Sequence, residues 1–159
     1  MHTAYLLLGS NVGDRNHHLQ HAIEKISDQA GAIIKMSSVY ETQPWGVTQQ
    51  DDYLNLAVQT ETRLSALELF KILQQIEASE GRVNPIKNTP RTLDIDILFF
   101  DETVIDEGSL IIPHPRLHLR RFVLEPLSEI APFFVHPTLN KSVEELLKVC
   151  TDEMKVKKV

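Results

Sequence analysis

The chain has 159 residues, a formal net charge of −6, 42% hydrophobic residues and one cysteine, Cys150. Such a chain suits a single domain over 1–159 with a sizeable core, and it excludes an internal disulfide and a broadly basic nucleic-acid surface. No apolar run is long enough to span a membrane, and "MHTAYLLLGSN" lacks the charged-then-apolar pattern of a secretory leader. With the lone cysteine, these features lead us to expect a cytoplasmic protein with no membrane, nucleic-acid or obligate protein partner.

In chain order, "TAYLLL" reads as a short apolar strand ended by "GSNVGD". A helix is expected from about Asn16 to Gln29, with Leu19, Ile23 and Ile26 on one stripe and Asp14 or Asn16 as its cap. "AIIKMSSVYET" is a second strand, "QPWGVTQQDD" a polar loop and "YLNLAVQTET" a third, alternating strand. Ser65 and Glu68 form a capping box that opens a helix through Leu69, Leu73 and Ile76, with Gly81 at its end. After the turn-rich "RVNPIKNTP" comes the strand "PRTLDIDILFF". "TVIDEGSLII" reads as a hairpin, "RRFVLEPLSEI" as a short helix and "SVEELLKV" as another capped helix, opened at Ser142. The first six elements follow the ferredoxin-like βαββαβ order of an α+β fold. That order predicts an antiparallel sheet with two helices on one face, here extended by a C-terminal hairpin and short helices.

Strict alternation along Leu93–Phe100 puts Leu93, Ile95, Ile97 and Phe99 on one face, and Asp94, Asp96, Leu98 and Phe100 on the other. The apolar flanks predict a buried central strand, where unpaired carboxylates are costly. Two carboxylates at that spacing can converge on one or two Mg²⁺ ions, and two ions can organise a phosphoryl displacement. Taken alone, the pair also fits charges that protect a sheet edge. Arg82, Lys87 and Arg91 stand just before it, and guanidinium groups bind phosphate oxygens in bidentate fashion. Arg120 and Arg121 open a helix, where cations oppose the dipole, so at least one has a task elsewhere. Trp45 lies in a Pro/Gly loop, and Tyr53 and Asn55 share a strand face: an aromatic surface beside an amide that can read a heterocycle edge. "GSNVGDR" lacks both phosphate-loop glycine patterns and reads as a turn.

The stretches "AYLLLGSNVGDR", "SSVYETQPWG", "DYLNLAV", "IEASEGR", "PRTLDIDILFF" and "IPHPRLHLRRFVLEPLSEIAP", then His136–Pro137, resemble the 6-hydroxymethyl-7,8-dihydropterin pyrophosphokinase family in order and over almost the whole chain. The resemblance implies Mg²⁺-dependent transfer of pyrophosphate from ATP to the pterin hydroxymethyl group, releasing AMP, in folate biosynthesis. It implies Asp94 and Asp96 as ligands of two Mg²⁺ ions. It places Thr42, Pro44, Trp45, Tyr53, Asn55 and Phe122 around the pterin, and Gln74, Glu77, Arg91, Ile97, His114 and Arg120 around the nucleotide. Arg82 and Arg91 match arginines that close over the phosphates. Asn84, Asn88 and Ser109 depart from residues common in the family, and Lys87 or Arg121 is the expected substitute in the clamp. A ligand-sensing module of the same fold would not need the carboxylate pair, and a metal-dependent phosphohydrolase would not need the aromatic pocket.

Overall fold

The computed structural model describes residues 1–42, 52–81 and 92–159. Its first strand, β1 (His2–Ser10), leads to α1 (Arg15–Gln29), β2 (Ala32–Met36), β3 (Tyr40–Thr42), β4 (Tyr53–Thr62), α2 (Ala66–Ser79) and β5 (Asp94–Phe100). The hairpin β6 (Ile105–Glu107) and β7 (Leu110–Ile112) follows, then a 3-10 turn at Leu117–Leu119, α3 (Arg121–Ile130), α4 (Val143–Val149) and β8 (Val156–Lys158). The main sheet runs β5-β1-β4-β3-β8, with β2 also beside β4, and its pairings are antiparallel. Taking β2 and β3 as one interrupted strand, this is the ferredoxin-like order expected.

The interruption has a local cause. The Ser37 hydroxyl accepts the Ala57 amide at 2.9 Å while the Ser37 amide donates to the Ala57 carbonyl at 2.9 Å. A side chain thus replaces a backbone acceptor and breaks the ladder. The helix signals hold. Asp14 accepts from the His17 amide, Ser65 and Glu68 complete a capping box, and Gly81 sits at φ +96°.

The sheet is buried on both faces along β1, β4 and β5. On one, α1 and α2 pack Ile26, Leu69, Leu73 and Ile76 against Leu6 and Leu8. Full burial of each such side chain contributes about 1.5–3 kcal/mol. On the other, α3 and α4 bring Leu124, Leu127, Val143 and Leu146 against Leu7 and Phe99. The expected pair of helices on one face is therefore only half of the packing.

Three expectations change. β1 continues through Gly9 and Ser10, so these residues belong to the strand and not to the turn after it. β5 ends the sheet instead of lying at its centre. Its outer edge is covered, because the Ile95 amide donates to Glu77 Oε2 at 2.8 Å and the Leu98 carbonyl accepts the His114 amide at 3.1 Å. That cover is why its residues look central in composition. Finally, the β1–β5 register shifts between Tyr5 and Leu6, pairing them with Phe99 and Ile97 and leaving Leu98 extra. The bulge reverses the alternation beyond it. Phe99 joins Leu98 on the α3 side and Phe100 joins Ile95 and Ile97 on the α1–α2 side, opposite to the faces expected.

Candidate active site

The bulge lies beyond the carboxylates and leaves their placement intact. Asp94 pairs with Gly9 and Asp96 with Leu7, and Leu7 packs on the α3 side. Both carboxylates therefore share that face, partly buried. Gly9 and Leu7 pair in turn with Asn55 and Ala57 of β4, and Asn55 pairs with Tyr40 of β3. One row across the sheet is thus Asp94–Gly9–Asn55–Tyr40, with Thr42 and Tyr53 paired in the next row. Asn55 and Asp94 stand two strand spacings apart, roughly 10 Å.

Gly9 makes that row possible. A Cβ there would lie 2.6 Å from Asn55 Oδ1 and 3.7 Å from the Tyr53 ring. Glycine therefore lets the Asn55 amide settle against β1. Sequence reading missed this role, although a glycine at the end of a continuous apolar strand run is its signal. Asn55 is 4% exposed and its Nδ2 has no hydrogen-bond partner among the described residues. A buried donor left unmade costs about 1–3 kcal/mol. A ligand acceptor at that amide would remove the cost.

The start of α3 contributes to the same face. The Arg120 guanidinium carbon lies 5.6 Å from the centre of the Phe122 ring. Burial lowers the Arg120 pKa, assisted by Arg116, while Asp96 and Asp152 oppose that shift. Arg120 and Asp96 are thus within electrostatic reach of each other. Arg121 points elsewhere. Its Nε donates to the Asp152 carbonyl at 2.9 Å and its Nη2 to the Cys150 carbonyl at 3.1 Å. It is bound to the C-terminal segment, away from the clamp position that the sequence offered it as an alternative to Lys87.

Of the remaining nucleotide candidates, Glu77 and His114 bond to the outer edge of β5. Gln74 is exposed and Glu77 buried, three residues apart and so neighbours on α2. Ile97 is 6% exposed with its side chain in the α1–α2 core, so what it presents at the edge is backbone. His114 is joined to that edge through its amide bond to Leu98. Its Nδ1 accepts the Arg116 amide at 3.3 Å, which leaves the proton of the neutral ring on Nε2 as a donor. Burial, then Arg120 and Arg116, push its pKa down to about 4. Pro44, Trp45, Arg82, Lys87, Asn84, Asn88 and Arg91 lie outside the described residues.

The His114 shift predicts a pH dependence. The unfolded chain protonates this histidine near 6.5 and the folded chain only near 4. Between those values the unfolded state binds more protons, so the contribution is present above about 6.5 and is lost as pH falls toward 4. His114→Gln should flatten this part of a denaturant-stability profile. His136, also lowered by burial, keeps its own share. An unchanged slope between pH 6.5 and 4 would exclude His114 as its source.

Two carboxylates on one strand face are hard oxygen donors suited to Mg²⁺. Among the described residues no group of three or more His, Cys, Asp or Glu could hold an ion by itself. That donor set fits an ion shared with substrate phosphates, the usual arrangement for Mg²⁺.

Residues 5–132 match the family model described as 7,8-dihydro-6-hydroxymethylpterin-pyrophosphokinase. The chain belongs to this pyrophosphokinase family. Among the relatives, the Bacillus subtilis (strain 168) 2-amino-4-hydroxy-6-hydroxymethyldihydropteridine pyrophosphokinase is 45% identical over 128 residues, covering 80% of this chain and 77% of that protein. The protein of the same name from Aquifex aeolicus (strain VF5) is 41% identical over 145 residues, covering 91% and 90%. The pyrophosphokinase fold seen here is also that of a solved Plasmodium falciparum HPPK-DHPS triple mutant, with a TM-score of 0.79 at 19% identity. That likeness covers 92% of this chain and 44% of the solved one, and it concerns the fold alone. Among the described residues no helix is long and apolar enough to cross a membrane.

Proposed function

We propose that this chain carries out its family's reaction with the residues gathered on the α3 face and at the edge of β5. That reaction is Mg²⁺-dependent transfer of pyrophosphate from ATP to the hydroxymethyl group of 6-hydroxymethyl-7,8-dihydropterin in folate biosynthesis, and the chain is an enzyme of that type. The observation that carries the assignment of residues is the row Asp94–Gly9–Asn55, which sets a heterocycle-reading amide and a carboxylate pair on one floor with no side chain between them.

In this reading Asn55 hydrogen-bonds the pterin edge, Thr42 and Tyr53 border the ring, and Phe122 packs on it with Pro44 and Trp45. Glu77, Gln74, His114 and the β5 edge at Ile97 hold the nucleotide. Asp94 and Asp96 would hold two Mg²⁺ ions, whose charge would offset that of the phosphates. Arg120, Arg82 and Arg91 place further positive charge there. The hydroxymethyl oxygen bonds to the β-phosphorus, the bond from that phosphorus to the α–β bridging oxygen breaks, AMP leaves and the hydroxyl proton passes to solvent. Positioning and charge suffice for this step, so no protein nucleophile is required. The chain works as one domain over 1–159 in the cytoplasm without an obligate protein partner.

Incubation with ATP, Mg²⁺ and the pterin should give AMP and the pterin pyrophosphate in equal amounts. ADP or free phosphate as the main product would replace this reading with a kinase or a hydrolase.

A further inference from the structure

We propose that Asp152, in the C-terminal tail beyond residues 5–132, is a positioning residue that sets the start of α3 and through it Arg120 and Phe122. The inference rests on the assignment of those two residues to the nucleotide and the pterin. α3 opens with two arginines, its first turn contains no acidic residue, and Arg120 makes no side-chain cap. Cations at this end oppose the helix dipole, and the first amides need acceptors.

The tail supplies what the helix lacks. Asp152 Oδ2 accepts the Arg121 amide at 2.9 Å, and the Asp152 carbonyl accepts Arg121 Nε at 2.9 Å. Asp152 Oδ1 accepts the Met154 amide at 3.0 Å, which fixes the carboxylate. Four residues later the chain enters β8, which pairs with β3, and Thr42 Oγ1 donates to the Lys155 carbonyl at 3.2 Å. One short segment thus ties Thr42 to the amide that lies between Arg120 and Phe122 in sequence. A helix start held this way keeps both flanking side chains in one arrangement before substrate arrives, which lowers the ordering cost of binding. Asp152 acts through the helix start, whose amide it holds, and through its charge, which lies within electrostatic reach of Arg120, so its role is positioning.

The test compares full-length Asp152→Ala, Asp152→Asn and Ser142→Ala with the parent enzyme. Ser142→Ala removes the capping box of α4 and serves as a destabilised control. Asp152→Ala should raise KM for the pterin and for ATP by about tenfold with a smaller change in kcat. Asp152→Asn, which keeps an acceptor oxygen, should recover part of that loss, and Ser142→Ala should lower Tm without moving either KM. Hydrogen exchange supplies a readout independent of turnover: Asp152→Ala should speed exchange in residues 121–124 selectively. Parent-like KM values and parent-like exchange in Asp152→Ala would overturn the proposal, as would the same KM rise in Ser142→Ala. If Asp152→Ala does not fold, Asp152→Asn is read by the same criteria. A parent enzyme that forms no AMP would defeat the functional assignment instead, while the exchange result still decides whether Asp152 holds the helix start.

Discussion

Asp96→Asn and Asp94→Asn should each lower kcat by at least about 100-fold while leaving the protein folded. An amide keeps the shape of the side chain but removes the charge that holds a hard cation and offsets the phosphates. Both side chains are only partly buried, and the substitution keeps their size, so the packing around them is preserved. Two like charges about 7 Å apart on one strand face repel by on the order of 2 kcal/mol before solvent screening. Asp96→Asn also removes an attraction to Arg120, so the two effects oppose each other and the melting temperature should move little while activity collapses. Mg²⁺ titration of the residual rate should show a weakened half-saturation. Near-normal turnover, or loss of activity that merely follows unfolding, would remove the pair from its metal role.

Gly9→Ala should produce a loss of comparable character at the other substrate. The added methyl would lie 2.6 Å from Asn55 Oδ1, well inside contact distance, so the amide must move. Losing a well-made hydrogen bond to a buried amide costs about 1–3 kcal/mol, on the order of 10- to 100-fold in KM for the pterin. KM for ATP should change far less, because Glu77 and His114, assigned to the nucleotide, bond to the outer edge of β5, away from Asn55. A double-mutant cycle makes the mechanism specific. In an Asn55→Ala background the clash is gone, so Gly9→Ala should cost almost nothing further. Additive losses would mean that the glycine acts by some route other than making room for Asn55.

How much of this was legible in the chain differs by feature. The order of strands and helices, the caps at Ser65 and Ser142 and the end at Gly81 follow from local rules: hydrophobic period, side-chain acceptors three residues from orphan amides, and a residue that tolerates positive φ. The carboxylate pair was legible for the same reason, because a two-residue spacing on a strand places both side chains on one face. The motif at Asp94 and Asp96 needed no tertiary information to suggest a cation.

The sequence could not show features that depend on pairing between distant segments. The bulge at Leu98 exists because β1 and β5 shift register, and it reverses the faces of Phe99 and Phe100. Alternation within β5 has no access to its partner's register. The edge position of β5 was hidden because Glu77 and the His114 amide cover that edge from elements far away in the chain. Gly9 looked like the start of a turn, since its use depends on where Asn55 of another strand comes to rest. The two arginines at the start of α3 posed a question that sequence could state but not answer. The tertiary structure separates them. Arg120 lies within electrostatic reach of Asp96, and Arg121 is bound to carbonyls about thirty residues later. Local chemistry determined which elements form and which residues could bind a cation. Long-range register and docking decided which of those residues share a face, because those depend on contacts that no short window of sequence contains.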